Sequence, residues 1–140
     1  MSFLIRKATP DDQPRIHAIR MGVTENVLSD PSKVTDAEVA WYREQAIFLV
    51  SEEGSEVVGF ACANHQTGLI WALFIDPAHE GRGHGRALLD AALAGLKLAD
   101  HTQAWLTTGA GTRAERFYRR HGWRDMGRSL DGQVVFVTHL

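Results

Sequence analysis

Glu80-Gly81-Arg82-Gly83-His84-Gly85-Arg86-Ala87 stands between two segments of opposite character. Before it, Leu69-Ile70-Trp71-Ala72-Leu73-Phe74-Ile75 is an unbroken apolar run closed by Asp76-Pro77, the pattern of a central strand covered on both faces. After it, Leu88, Leu89, Ala92, Leu93 and Leu96 fall on one helical stripe and predict a helix from about His84 to Ala99. Three glycines at alternate positions let the backbone turn sharply and approach a ligand closely. The amides that follow open a helix N-terminus, where donors and dipole together stabilise an anion. Arg82 and Arg86 add two cations, so the chemistry is that of a phosphate cradle. The plain alternative is a glycine-rich strand-to-helix turn that holds nothing. No Lys-Ser/Thr pair follows the last glycine, so this is not a P-loop. Nor is the G-x-G-x-G spacing, after a fourth strand, the G-x-G-x-x-G dinucleotide fingerprint that follows a first.

Toward the N-terminus, Ala46 to Ser51 and Glu56 to Asn64 read as strands, joined by turns at Glu53-Gly54-Ser55 and Gln66-Thr67-Gly68. Thr35-Asp36-Ala37-Glu38 is a capping box that predicts a helix from about Asp36 to Gln45, with Val34 and Val39 placed as a hydrophobic staple. Thr24 to Lys33, with Asn26, Ser29, Asp30 and Pro31, reads as a loop or a broken helix. Phe3 to Ala8 is a short strand, and Thr9-Pro10-Asp11-Asp12 starts a helix through Ile16, Ile19 and Val23. Pro14 is awkward inside that helix and leaves a later start open.

Toward the C-terminus, Ala104 to Thr108 is a strand, and Thr112-Arg113-Ala114-Glu115 is a second capping box. The helix it opens carries Ala114, Phe117, Tyr118 and His121 on one face and ends at Gly122. From Trp123 a final pair of strands turns at Leu130-Asp131-Gly132 and closes with Val134 to Thr138. The order β-α-α-β-β-β-α-β-α-β-β predicts a single α+β (α/β mixed) domain over residues 1–140, built on a mixed sheet.

Two spaced motifs in this order resemble the GNAT-type N-acetyltransferase superfamily. One is R/Q-x-x-G-x-G/A after a strand and a V/I-x-P-like turn, here Phe74-Ile75-Asp76-Pro77 followed by Arg82, Gly83, His84, Gly85 and Arg86. The other is A-x-x-F-Y-x-x-x-G-F/W, here Ala114-Glu115-Arg116-Phe117-Tyr118-Arg119-Arg120-His121-Gly122-Trp123. The resemblance covers nearly the whole chain. It implies a central mixed, mostly antiparallel sheet and acetyl transfer from acetyl-CoA, as cosubstrate, to a primary amine by direct attack. It assigns the cofactor to Gly81, Arg82, Gly83, His84, Gly85, Arg86 and Ala87, with the backbone of Leu73, Phe74 and Ile75 pairing with the pantetheine arm where two strands splay apart. Phe117 and Tyr118 complete that site, and Tyr118 matches the tyrosine that donates a proton to the leaving thiolate. Core packing beside Phe117 is the alternative for Tyr118.

Two positions depart from the family pattern. Glu80 stands where the family carries Arg or Gln, a carboxylate beside the expected pyrophosphate, and Gly111 stands where many members carry an Asn. Candidates for the general base are Glu25 and His65; Asp30 and Glu38 lie in the same region, and a water chain could serve equally. The acidic residues Glu25, Asp30, Asp36 and Glu38 point weakly to a cationic small-molecule or peptide amine, against the plainer reading of a solvated face. A non-catalytic acyl-CoA-binding regulatory module is the competing function.

Composition agrees with an ordinary globular chain: 140 residues, 44% hydrophobic and 23% charged, enough for a buried core without a metal or disulfide. Fifteen Lys and Arg against 17 Asp and Glu leave a net charge of −2, which removes the footprint of a general nucleic-acid binder. Cys62 is the lone cysteine and behaves as a small buried hydrophobe, and the seven histidines are too dispersed for a metal site. The apolar run is far short of the ~20 residues that span a bilayer. The N-terminus lacks an apolar region after its basic residues, so neither a signal peptide nor a membrane is expected. The expectation is a cytoplasmic protein, with a homodimer open because strand edges need cover.

Overall fold

The computed structural model describes residues 2–22 and 35–140. Glu25, Asp30, Val34 with its staple, and the loop read over Thr24 to Lys33 lie outside the described residues. Among those described, seven strands form one sheet in the order β1-β2-β3-β4-β5-β7-β6. The strands are β1 (Leu4–Lys7), β2 (Ile47–Glu53), β3 (Glu56–Asn64), β4 (Leu69–Ile75), β5 (Gln103–Thr108), β6 (Arg124–Arg128) and β7 (Val134–His139). All neighbours are antiparallel except β4 and β5, which run parallel. The mixed, mostly antiparallel sheet and the element order are as expected.

Helices cover both faces. One face carries α1 (Gln13–Gly22) and α2 (Asp36–Gln45), the other α3 (His84–Leu98) and α4 (Arg113–Arg120). Ile16, Ile19, Val39 and Tyr42 pack with Phe48, Phe60, Cys62, Ala72 and Phe74 on the first side. Leu88, Leu89, Ala92, Leu96, Ala114 and Tyr118 pack with Ala61, Leu73, Leu106 and Phe136 on the second. β4 contributes to both clusters, which explains its unbroken apolar sequence.

Local chemistry sets the ends of the elements. Thr9 begins a single 3-10 turn, Pro10–Asp12, and the α-helix starts only at Gln13, so Pro14 falls in its first turn, where it breaks no hydrogen bond. Thr35 and Thr112 each accept the backbone N–H three residues on, from Glu38 and Glu115. The boxes are only half formed as predicted: Glu115 accepts from Gly111 N–H at 2.9 Å instead of from Thr112. Gly54 and Ser55 both take left-handed backbone (φ +59° and +68°), the geometry of a tight two-residue hairpin turn.

Two irregularities in β4 shape the site. Its register against β3 runs Cys62↔Ala72 and then Ala63↔Ile70, so Trp71 is an extra residue in a β-bulge. The bulge carries Trp71 to the α1/α2 face beside Ala72, where its ring stacks on Tyr42 with centroids 4.2 Å apart. Burial pushes the Tyr42 phenol up to about 12, against a hydrogen bond with Asn64 that lowers it. On the other edge, Leu69↔Trp105 is the pair that joins β4 to β5, with Trp105 N–H bonded to the Gly68 carbonyl at 3.1 Å. Past that point no ladder pair joins the two strands, and a gap opens toward their C-terminal ends.

Candidate functional site

A cavity of about 370 Å³ lies where β4 and β5 part. Its floor is Leu73, Phe74 and Ile75 of β4, and one wall is the loop leading into α3, with Glu80, Gly81, Gly83, Gly85 and Arg86. The opposite wall is α4 with the residue that caps its C-terminus, presenting Arg113, Phe117, Arg120 and the cap His121. The sheet thus leaves apolar surface in the depth, and the two helices bring cations and amides to it.

The loop is shaped by its glycines. Gly81 and Gly83 have φ of +77° and +91°, which a side chain would strain, and Gly83 is the N-cap of α3. The first bond of the helix runs from Ala87 N–H to the Gly83 carbonyl at 3.1 Å. The amides of His84, Gly85 and Arg86 therefore have no intrahelical acceptor, and all three residues line the cavity. Ala87, one residue on, has its amide engaged and is not on the wall.

Side chains of the loop divide between the two sides of the backbone. His84 is 1% exposed; its Nε2–H donates to Glu53 Oε1 at 3.2 Å and its Nδ1 accepts from the Ser51 hydroxyl. Its ring also packs against Phe3, centroids 4.2 Å apart. Arg82 turns the same way and donates to Glu53 Oε2 at 2.7 Å. Burial raises the Glu53 carboxyl, but hydrogen bonds from His84 and Arg82 and the charge of Arg82 outweigh it and hold the group below its ordinary value. His84 contributes backbone to the cavity, and Arg82 contributes none of its wall.

Glu80 is paired: Arg113 Nη1, at the start of α4, donates to its Oε2 at 2.6 Å. Arg86 is exposed, with Asp90 3.8 Å away along α3. At the C-terminal cap of α4, His121 Nδ1 sits 2.8 Å from the Phe117 carbonyl. A carbonyl only accepts, so Nδ1 carries the proton, and Nε2 is the acceptor of the neutral ring. Tyr118 is 1% exposed and lies behind Phe117, ring centroids 5.2 Å apart, against Trp123 and Phe136. It is not on the cavity wall. Burial pushes its phenol well above the ordinary tyrosine value, so it stays protonated at neutral pH.

Of the base candidates, His65 and Glu38 are not brought to the cavity. His65 sits in the β3–β4 turn, its carbonyl accepting from His101 Nε2 at 2.5 Å. That is the closed end of the gap, about 20 Å along β4 from the glycine loop at ~3.3 Å per residue. Glu38 is bonded to Thr35 at the start of α2, and Glu25 and Asp30 fall outside the described residues. Sequence reasoning did not single out Arg113 or Arg120. Their signal was nonetheless present, since Arg113, Phe117, Arg120 and His121 recur at helical spacing along a single stripe of α4. Among the described residues no group of three or more His, Cys, Asp or Glu could hold a metal ion, and no helix is long and apolar enough to cross a membrane.

The donor set suits a ligand with an anionic end and a thin apolar arm: amides and arginines at the mouth, Leu73, Ile75 and Phe117 in the depth. The sequence profile of the acetyltransferase (GNAT) domain matches residues 44–125. Among solved structures, a GCN5-related N-acetyltransferase from Rhodopseudomonas palustris superposes with a TM-score of 0.83 at 19% identity, covering 100% of this chain and 97% of that one. The PaiA N-acetyltransferase of Thermoplasma acidophilum, solved in complex with coenzyme A, gives 0.82 at 16% identity with 100% of both chains covered. Ard1 from Thermoplasma volcanium gives 0.82 at 22% identity, covering 100% and 99%. None of the curated proteins matches the chain in sequence at a significant level.

Proposed function

The chain belongs to the acetyltransferase (GNAT) domain family, and from that premise we propose that it is an N-acetyltransferase using acetyl-CoA and a primary amine. The observation that carries this reading is the run of amides from His84 to Arg86 that have no intrahelical acceptor, in residues that line the cavity at the gap between β4 and β5. Those amides and the positive end of α3 form the anion site that a diphosphate needs. The facing edges of β4 and β5, unpaired past Leu69 and Trp105, offer backbone donors and acceptors to an extended amide-bearing arm, as an added strand would. Acetyl-CoA supplies the acetyl thioester that the amine attacks.

The protein's own task is to orient and to manage protons. An alkylamine has a pKa near ~10.4 and must lose a proton before it attacks, while the departing thiol, at ~8.5, gains from a donor. We assign the donor to Tyr118, whose burial keeps the phenol protonated. The acceptor is a small-molecule or peptide amine, and the reaction is placed in the cytoplasm, which a lone buried cysteine, Cys62, suits.

Calorimetric titration of acetyl-CoA into the protein is the first test, because it needs no knowledge of the amine. Saturable 1:1 binding in the micromolar range, about −8 kcal/mol, is expected. Thiol release with a panel of amines then separates an enzyme from a module that binds acetyl-CoA without turnover. No binding at millimolar ligand would overturn the reading.

A further inference from the structure

Glu80 is the only carboxylate among the described residues that line the cavity, where Arg86, Arg113 and Arg120 also stand. It does not face those cations at random. Its Oε2 is 2.6 Å from Arg113 Nη1, and the two residues come from opposite walls, the loop before α3 and the first residue of α4. The pair therefore spans the cavity mouth. A guanidinium fork fits a carboxylate and a phosphate by the same geometry, so the donors that hold Glu80 are those a phosphate would use.

Two further facts bear on how easily the partner is exchanged. Arg113 occupies the first turn of α4, the positive end of that helix, where a cation is disfavoured and an anion over it is welcome. The side chains of Arg113 and Glu80 are 51% and 26% exposed, so the pair is hydrated and weak, unlike the 10%-exposed Glu53 that holds Arg82. The loop keeps its shape through Glu53 whichever anion sits on Arg113.

The geometry points to Glu80 as a built-in competitor for the phosphate of the cofactor, with Arg113 as the cation that the two anions share. This rests on the reading that acetyl-CoA binds in this cavity. In the empty protein the carboxylate occupies Arg113; a bound diphosphate displaces it, and part of the binding energy is spent on that exchange. The competition acts equally on the product coenzyme A, whose phosphates are the same, and so it shortens the stay of the product.

Coenzyme A titrated calorimetrically into the wild-type chain, Glu80→Gln, Arg113→Gln and the double variant tests this, with thermal unfolding as a check that each is folded. Glu80→Gln is expected to bind about fivefold more tightly, the most an exposed ion pair is worth. Arg113→Gln should bind about tenfold more weakly. In the double variant, removing the carboxylate should change affinity less than twofold relative to Arg113→Gln, since the contested cation is gone. Wild-type binding with Glu80→Gln unchanged or weaker overturns the competitor and leaves the acetyl-CoA reading standing. Failure of both the wild type and Glu80→Gln to bind removes that reading, and this inference with it.

Discussion

Phe117 on α4 reaches toward α3 and stops 3.9 Å from the point where a side chain on Gly85 would begin. Ile75 Cγ1 lies at the same 3.9 Å from that point, so Gly85 faces the apolar depth of the cavity. A methyl group fits there in ordinary contact, whereas a leucine fills the space an extended ligand arm needs. Gly85→Ala is expected to keep coenzyme A affinity within about threefold, and Gly85→Leu to lose it about a hundredfold with the protein still folded. Calorimetry with coenzyme A reads both. Equal affinity in the leucine variant would place the ligand elsewhere.

Glu53, at the end of β2, gathers Arg82, His84 and, at 3.7 Å, His79 on one carboxylate. Those three side chains come from the segment 79–84 that leads into α3, so the carboxylate, itself off the cavity wall, holds in place the backbone that opens on the cavity. Glu53→Gln removes the charge and keeps the shape. The expected result is coenzyme A binding about tenfold weaker, with faster hydrogen exchange at residues 81–86 and a melting temperature moved by only a few degrees. Weaker binding with unaltered exchange would mean that the carboxylate does not act through the loop.

The features readable in the sequence were those encoded by neighbours along the chain. The run Leu69 to Ile75 states that both faces of β4 are covered, and the caps at Thr35 and Thr112 mark the starts of α2 and α4. The glycines of the loop announce their own backbone. What escaped depends on partners distant in sequence. Arg82 reads as a free cation beside the glycines, yet Glu53, 29 residues earlier, turns it away from the cavity. Glu80 reads as a misplaced charge until Arg113, 33 residues later, is seen against it. The bulge at Trp71 is a one-residue slip between two strands, and nothing in the composition of either strand records it.

Asp12 ties the first strand to the first helical turn. It receives Arg6 through both oxygens, each at 2.9 Å, and the Thr9 N–H at 2.8 Å, and it is 7% exposed. The hydrogen bond from Arg6 is the main cause that lowers its carboxyl, against burial, which raises it. A carboxylate depressed in the folded state stabilises fully above its unfolded value of about 3.9 and loses that contribution as pH falls through the folded value. Asp12→Asn should cost about 1–3 kcal/mol at pH 7, and the gap from wild type should narrow below about pH 4. Urea unfolding of both proteins between pH 7 and pH 3 measures it. A gap that stays constant to pH 3 would assign the loss to packing instead of charge.

Tyr118 poses the sharpest chemical question, because its sequence position and its surroundings pull apart. The motif from Ala114 to Trp123 resembles one whose tyrosine donates to the leaving thiolate, the role we propose for it, while its ring is packed among Phe117, Trp123 and Phe136 behind the cavity wall. Both uses require the ring, but only one requires the hydroxyl. Tyr118→Phe keeps the aromatic packing, so stability and coenzyme A affinity should stay close to wild type. If the hydroxyl donates the proton, turnover at saturating acetyl-CoA and amine should fall about a hundredfold. The deficit should shrink with an acyl donor whose thiol is more acidic and leaves without help, which a purely structural role for the hydroxyl would not produce. Unchanged turnover would remove Tyr118 from the chemistry and turn attention to His121, which lies on the cavity wall with Nε2 as its acceptor.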